Sequence, residues 1–213
     1  MTTNLKTKSL IPLTDPYGLG NTVASIPNNT VDWIKVELRD KTNSATILYT
    51  KAFFLDNTGN VMSLDGSGTA KFAGVVKDQY YIAVKHRNHI GAMTSATVDL
   101  TGASPAFNFK SGTGVYQNQT YTPMFSLGSG NYGLYKGNVN GDTRVSKVGV
   151  PGVNDYSALL AYLGANTTIL NVYAGADVNL DGDVRKVGVP GVNDYSHLLN
   201  SLGSSSTILQ QVP

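Results

Sequence analysis

The chain of 213 residues contains no cysteine. That removes disulfides, thiolate zinc sites and a cysteine nucleophile from consideration. Charge is also scarce: Asp, Glu, Lys and Arg together make up 14% of the residues, against about 25% in an average globular domain. No Lys/Arg cluster is interleaved with aromatics, which argues against a nucleic-acid partner. No run approaches the ~18 apolar residues of a membrane-spanning helix. The opening MTTNLKTKSLIPL lacks the apolar core of a signal peptide, so an exported protein is expected here in its mature form. GxSxG, P-loop and dinucleotide fingerprints are missing too, and no enzyme is expected.

What is present points to β-structure. Apolar residues reach 41%, with 23 glycines and 12 tyrosines, a blend suited to strands and tight turns. In VDWIKVELRD (31–40), Ile34, Val36 and Leu38 alternate with Lys35, Glu37 and Arg39, the pattern of a half-buried strand. TILYTKAFFL (46–55), NVMSLD (60–65), TAKFAGV (69–75), QYYIAVKHR (79–87), SATVDL (95–100) and the AFNF ending at Phe109 follow, separated by turn-forming strings such as DNTG and DGSG. The fold class expected is mainly β: an immunoglobulin-like antiparallel sandwich over residues 31–110. Before it lies an extended, Pro-containing arm, residues 1–30. After it comes a Gly- and Tyr-rich connecting segment, 111–136, and then a small domain from 137 to 213.

That last domain is a duplication. KVGVPGVNDYS occurs at 147–157 and again at 186–196, and Asn138–Leu170 aligns with Asp177–Leu209 at a constant offset of 39. In the second repeat, DVNLDGD places Asp177, Asn179 and Asp181 at alternate positions, with Gly182 next. This is the opening half of an EF-hand-type calcium loop. Calcium takes six to eight oxygens, and alternate residues of a curled loop aim three at one point. Asp183 adds a position-7 carbonyl, and Asp194, six residues beyond the usual twelfth position, supplies the closing acid. Asp194 also opens an amphipathic helix, with Asn193 or Asp194 as cap and Gly203 as its end. The first repeat offers Asn138, Asn140, Asp142, the Arg144 carbonyl and Asp155. It has fewer carboxylates, so the 177–194 site is expected to be the stronger of two calcium sites.

Paired loop–helix units of this kind look like a dockerin module. With LIPLTDPYG (10–18), VDWIKVELRD and YYIAVKHRNHIGAMT (80–94), nearly the whole chain resembles the C-terminal region of large secreted surface proteins from Bacteroidetes-type bacteria. The resemblance implies a β-sandwich followed by a dockerin-like calcium domain, exported and non-catalytic, with the loop residues named above as ligands. The inserted KVGVPG departs from the dockerin loop.

The function expected is that of an extracellular, calcium-stabilised structural subunit that assembles with identical copies into a surface fibre. Its joint would be the apolar arm around Leu10, Ile11 and Leu13, which can complete a neighbour's open sheet edge. The alternative is a binding module, dockerin-like or carbohydrate-binding, for a glycan or protein ligand. Trp33 and the tyrosines could stack on sugars or simply fill the core. His86–His89 (HRNH) reads as a polar turn before a metal pair, and His197 as a solvated helix residue. N-x-T sequons at Asn28, Asn118 and Asn166 offer glycosylation sites, weakly.

Overall fold

A computed structural model describes residues 1–102, 107–150, 153–189 and 191–213. The chain is mainly β, with antiparallel sheets and a few short helices. After a single helical turn, α1 (Asn4–Thr7), come β1 (Thr30–Arg39), β2 (Ile47–Asp56), β3 (Val61–Met62), β4 (Gln79–His86), β5 (His89–Met93) and β6 (Val98–Asp99). They form one six-stranded sheet in the order β3-β2-β1-β4-β5, with β6 paired to β4. β1 is central, in register with β2 through Trp33–Phe54 and with β4 through Val36–Val84.

Both faces of this sheet are covered, but by different material. On one, Ile34, Val36, Phe53 and Val84 pack against Val115, Met124, Phe107 and Tyr132. The segment expected as a connector is thus a wall of the core, and it carries the hairpin β7 (Phe125–Gly128) and β8 (Asn131–Gly133). On the other, Trp33, Ala52 and Phe54 pack against Leu5 and Ile11. The N-terminal segment therefore has a place in its own body. Of the three residues expected as a free arm, Ile11 is buried, Leu10 is half-buried and Leu13 alone is exposed. The layers across the sheet are coil, a short hairpin and this segment; a second sheet of comparable size is not among the described residues.

Two covered faces also explain why the alternation of β1 misreads. Glu37 and Arg39, expected toward solvent, are buried. They satisfy each other: Arg39 donates from Nε and Nη2 to Glu37 Oε2 at 3.0 and 2.7 Å. Pairing of this kind, with the Ser44 and Pro213 carbonyls on Arg39 and Lys85 beside Glu37, offsets part of the desolvation cost of burying the two charges. TAKFAGV contributes only a single bridge, Thr69 to Met62, and the chain turns at Gly74, φ 80°. Residues 103–106, at the start of the last expected strand, lie outside the described residues; Phe109–Ser111 form a 3-10 turn.

The duplication folds as a reciprocal pair. β9 (Arg144–Ser146) precedes α2 (Asp155–Leu163) and β10 (Thr168–Leu170); β11 (Asp183–Arg185), α3 (Asp194–Leu202) and β12 (Thr207–Leu209) repeat the order. Each loop strand pairs with the other repeat's tail: β9 with β12, β11 with β10. The registers are equivalent, Val145–Ile208 matching Val184–Ile169. The equivalent Tyr156 and Tyr195 stack on each other, centroids 4.7 Å apart. The two repeats thus meet through this tyrosine pair, related by a pseudo-twofold axis.

Candidate functional site

Each loop is wound by its own polar side chains. In the second, Asp177 accepts the Asp181 and Gly182 N–H groups at 3.1 and 2.9 Å. Asn179 Oδ1 accepts Asp181 N–H, and Asp181 Oδ1 accepts Asp183 N–H. Alternate side chains capping the backbone ahead of them are what Asx residues do in turns. Asp194 closes the loop from the first position of α3, just after the cap Asn193, whose side chain accepts Ser196 N–H. Its Oδ1 takes Val178 and Asn179 N–H at 2.7 and 3.4 Å, and its Oδ2 takes Arg185 N–H at 2.7 Å. The extra residues do return the acid to the loop.

The first repeat reproduces this clasp. Asp155 takes Val139, Asn140 and Ser146 N–H at 2.7, 3.3 and 2.7 Å. It differs at the opening residue. Asn138 donates from Nδ2 to Asp142 O at 2.7 Å, and its Oδ1 is buried without a partner. A buried acceptor left unpaired is costly.

The electrostatics are those of crowded carboxylates. Burial pushes Asp177 up to about 7, with the charges of Asp194 and Asp181 adding to it against Arg87. Burial pushes Asp194 and Asp155 up to about 6, each against three N–H donors. Asp183 is the exception. Burial pushes it up, but Lys8, the Asn171 N–H and Arg185 together hold it below the usual carboxylate range. The donor set is hard oxygen throughout, it carries excess negative charge, and one buried oxygen lacks a donor, all of which suit a hard divalent cation. The side chains as placed are closed on themselves: Asp181 Oδ2 bonds Arg185 at 2.8 Å. Among the described residues no three His, Cys, Asp or Glu side chains gather as a ready metal cluster.

The β4–β5 turn, the HRNH string, plugs into this domain. Asn88, wholly buried, touches both loops where they open. Its carbonyl accepts Gly137 and Asn138 N–H at 3.1 and 3.0 Å, and its Nδ2 donates to Asp177 O at 2.6 Å. Arg87 donates to Ala174 O, lies 4.1 Å from the Tyr173 ring and bonds Asp32 Oδ2 at 2.9 Å. Asp32 also meets His86 Nε2 at 3.1 Å and the Tyr173 hydroxyl at 2.7 Å. Burial pushes Asp32 up, but Arg87, His86 and Tyr173 outweigh it and hold the carboxyl well below its ordinary range. The HRNH string is therefore a structural joint between sheet and duplicated domain. Arg87, Asn88 and Tyr173 escape sequence reading as partners, because the contacts bridge 55 to 141 residues.

The remaining candidates sort by burial. Trp33 is fully buried, with its Nε1 donating to Pro12 O at 2.9 Å and its ring 4.2 Å from Phe54. It is core and offers no face to a sugar. His197 is half-buried, its Nδ1 2.6 Å from Lys136 Nζ. Asn28, Asn118 and Asn166 are exposed. Compared with known proteins, the chain matches no family model, no curated protein and no solved structure.

Proposed function

We propose that the chain is a non-catalytic structural protein of the cell exterior. Its duplicated, dockerin-like domain binds calcium through one loop per repeat, and its N-terminal segment joins it to further copies in a surface fibre. The observation that carries the calcium reading is the pair of acid clasps. Asp194 and Asp155 are fully buried, return across an insertion to the opening of each loop, and sit within the field of further carboxylates. A cation there offsets charge that the fold otherwise buries at a cost. It also gives the unbonded Asn138 Oδ1 something to bind. The ion would supply charge neutralisation and a fixed loop shape, stabilising the fold by about 2.7 kcal/mol at a hundredfold excess over its Kd.

The joining role finds support in how the N-terminal segment is held. No strand precedes β1 at Thr30, so residues 1–29 rest on the sheet by side-chain packing and scattered bonds. A layer attached in this way can be exchanged between identical copies. A second reading, a docking module, is favoured by one observation: Val148, Val150, Val153, Val187, Val189 and Val192, all in the duplicated segments, are 50% to 70% exposed.

Calorimetric titration of chelated protein with calcium tests the first reading, with two sites expected. No heat and no rise in Tm with calcium would overturn it. Negative-stain microscopy separates fibre from docking module. Filaments support joining, whereas particles dispersed in both calcium and chelator favour the module.

A further inference from the structure

The second loop is also where the N-terminal segment lands. Lys8 Nζ donates to Asp183 Oδ1 at 2.7 Å. Leu10 lies directly on Gly182: a Cβ added there would meet Leu10 Cδ1 at 2.6 Å and Lys8 Cδ at 3.0 Å. Leu180, at the fourth position of the same loop, packs into the cluster of Leu5, Ile11 and Trp33. It does so from a left-handed backbone, φ 61°, a conformation that a leucine rarely holds. The first loop makes the same turn with Gly141, φ 74°, and nothing lies within 4 Å of its Cβ position. At the sixth position the first repeat has Thr143, exposed, where Gly182 is buried. The two loops thus differ at the positions where the segment rests on one of them.

We propose that the second loop is a cation-controlled latch for residues 1–26. Occupancy of the 177–194 loop fixes the shape on which Lys8 and Leu10 seat, and withdrawal of the ion releases the segment from the sheet face over Trp33. This rests on the calcium reading above. The coupling is short. Asp183 gives its carbonyl position to the ion loop and its carboxylate to Lys8, and Gly182, adjoining it, is the floor under Leu10. The segment's own sheet face is then the surface it leaves, and the freed segment is the part able to join another copy. The first loop serves as an internal control, since nothing lies within 4 Å of the Cβ position at Gly141, where the second loop carries Leu180.

The test uses the full chain with calcium alone as the probe. Trp33, the one tryptophan, sits beneath the segment and reports its departure. Chelation is expected to red-shift Trp33 emission and to raise hydrogen exchange over residues 1–26 by about tenfold or more, while β1 and β4 stay protected. Leu180→Gly gives the second loop the first loop's residue. It is expected to raise exchange over residues 1–26 in calcium toward the chelated level and, because the coupling is reciprocal, to weaken calcium binding at this loop by about the same tenfold. Calcium binding by calorimetry with unchanged exchange and emission overturns the latch and spares the calcium reading. Absence of binding overturns both. Full calcium-dependent protection in Leu180→Gly overturns the coupling through this loop.

Discussion

The two repeats share a backbone plan and differ in what surrounds them. They are alike where they touch each other: the stacked Tyr156 and Tyr195, the reciprocal strand pairs, the Asn caps and the Asp clasps. They diverge where they touch the rest of the chain. Asn138 answers to Asp177 beside Arg87, Gly141 to Leu180 beneath the N-terminal cluster, and Arg144 to Asp183 bonded to Lys8. Sequence reading ranks the second loop as the tighter calcium site on carboxylate count. The structure supplies the missing half of that count. Arg185 bonds Asp181 and Asp183, Lys8 bonds Asp183, and Arg87 lowers Asp177, so the extra acids come with their own cations. Affinity follows net ligand charge and rigidity, so the carboxylate count by itself does not rank the two loops.

The joint at Asp32 breaks the comparison most severely, because it braces the second repeat through Tyr173 and Ala174. Asp32→Asn leaves Arg87 buried without its carboxylate and is expected to cost about 3–5 kcal/mol in urea denaturation. The same group sets an acid limit. Asp32 titrates lower in the folded chain than its unfolded value of about 3.9, so its contribution is complete above that pH and is lost as pH falls below it. The urea midpoint of the parent chain should drop on acidification below about pH 4, and that of Asp32→Asn should drop less.

Next come the clasps, where the repeats should behave as equals. Asp155→Ala and Asp194→Ala each orphan three backbone N–H groups. Each is expected to cost about 2–4 kcal/mol in the absence of calcium. Matched losses would show the clasp to be intrinsic to the repeat. A much larger loss at Asp194 would assign part of it to the joint and the N-terminal segment.

How much of this could be read in advance follows from the range of the contacts. Helices, caps and the return of Asp194 to its loop are written within some twenty residues of one another, and the offset of 39 exposes them twice. The strands β1, β2 and β4 carry enough β-branched and aromatic residues to be seen. The second face of the sheet is hidden, because its polar members Glu37 and Arg39 neutralise each other and imitate a solvent side. The joint and the latch are hidden for another reason. Asn88 reaches Asp177 across 89 residues, and Lys8 reaches Asp183 across 175. Nothing local in LKTKSL or HRNH marks a partner so far away.

A smaller change sharpens the comparison at the opening residue. Asn138→Asp gives the first loop the carboxylate that Asp177 supplies in the second, in place of an amide whose Oδ1 has no partner. The first site should then bind calcium more tightly by on the order of tenfold. A calorimetric titration resolving two sites checks it. An unchanged affinity would mean that Asn138 Oδ1 lies outside the ligand set.

The smallest effect separates strain from contact at the fourth loop position. Gly141→Leu forces a leucine into left-handed backbone where no atom lies within 4 Å to receive it, so it should lose about 1–2 kcal/mol by denaturation. Leu180→Gly relieves the same strain but gives up burial against Leu5 and Ile11, two terms of about 1–2 kcal/mol that oppose each other, and its net change in stability should fall within about 1 kcal/mol. Unequal responses of this kind would mean that the second loop keeps its leucine for the segment it holds. If Gly141→Leu proves as harmless as Leu180→Gly, the left-handed turn carries little strain in either repeat. Leu180 then needs only its apolar contact to account for it.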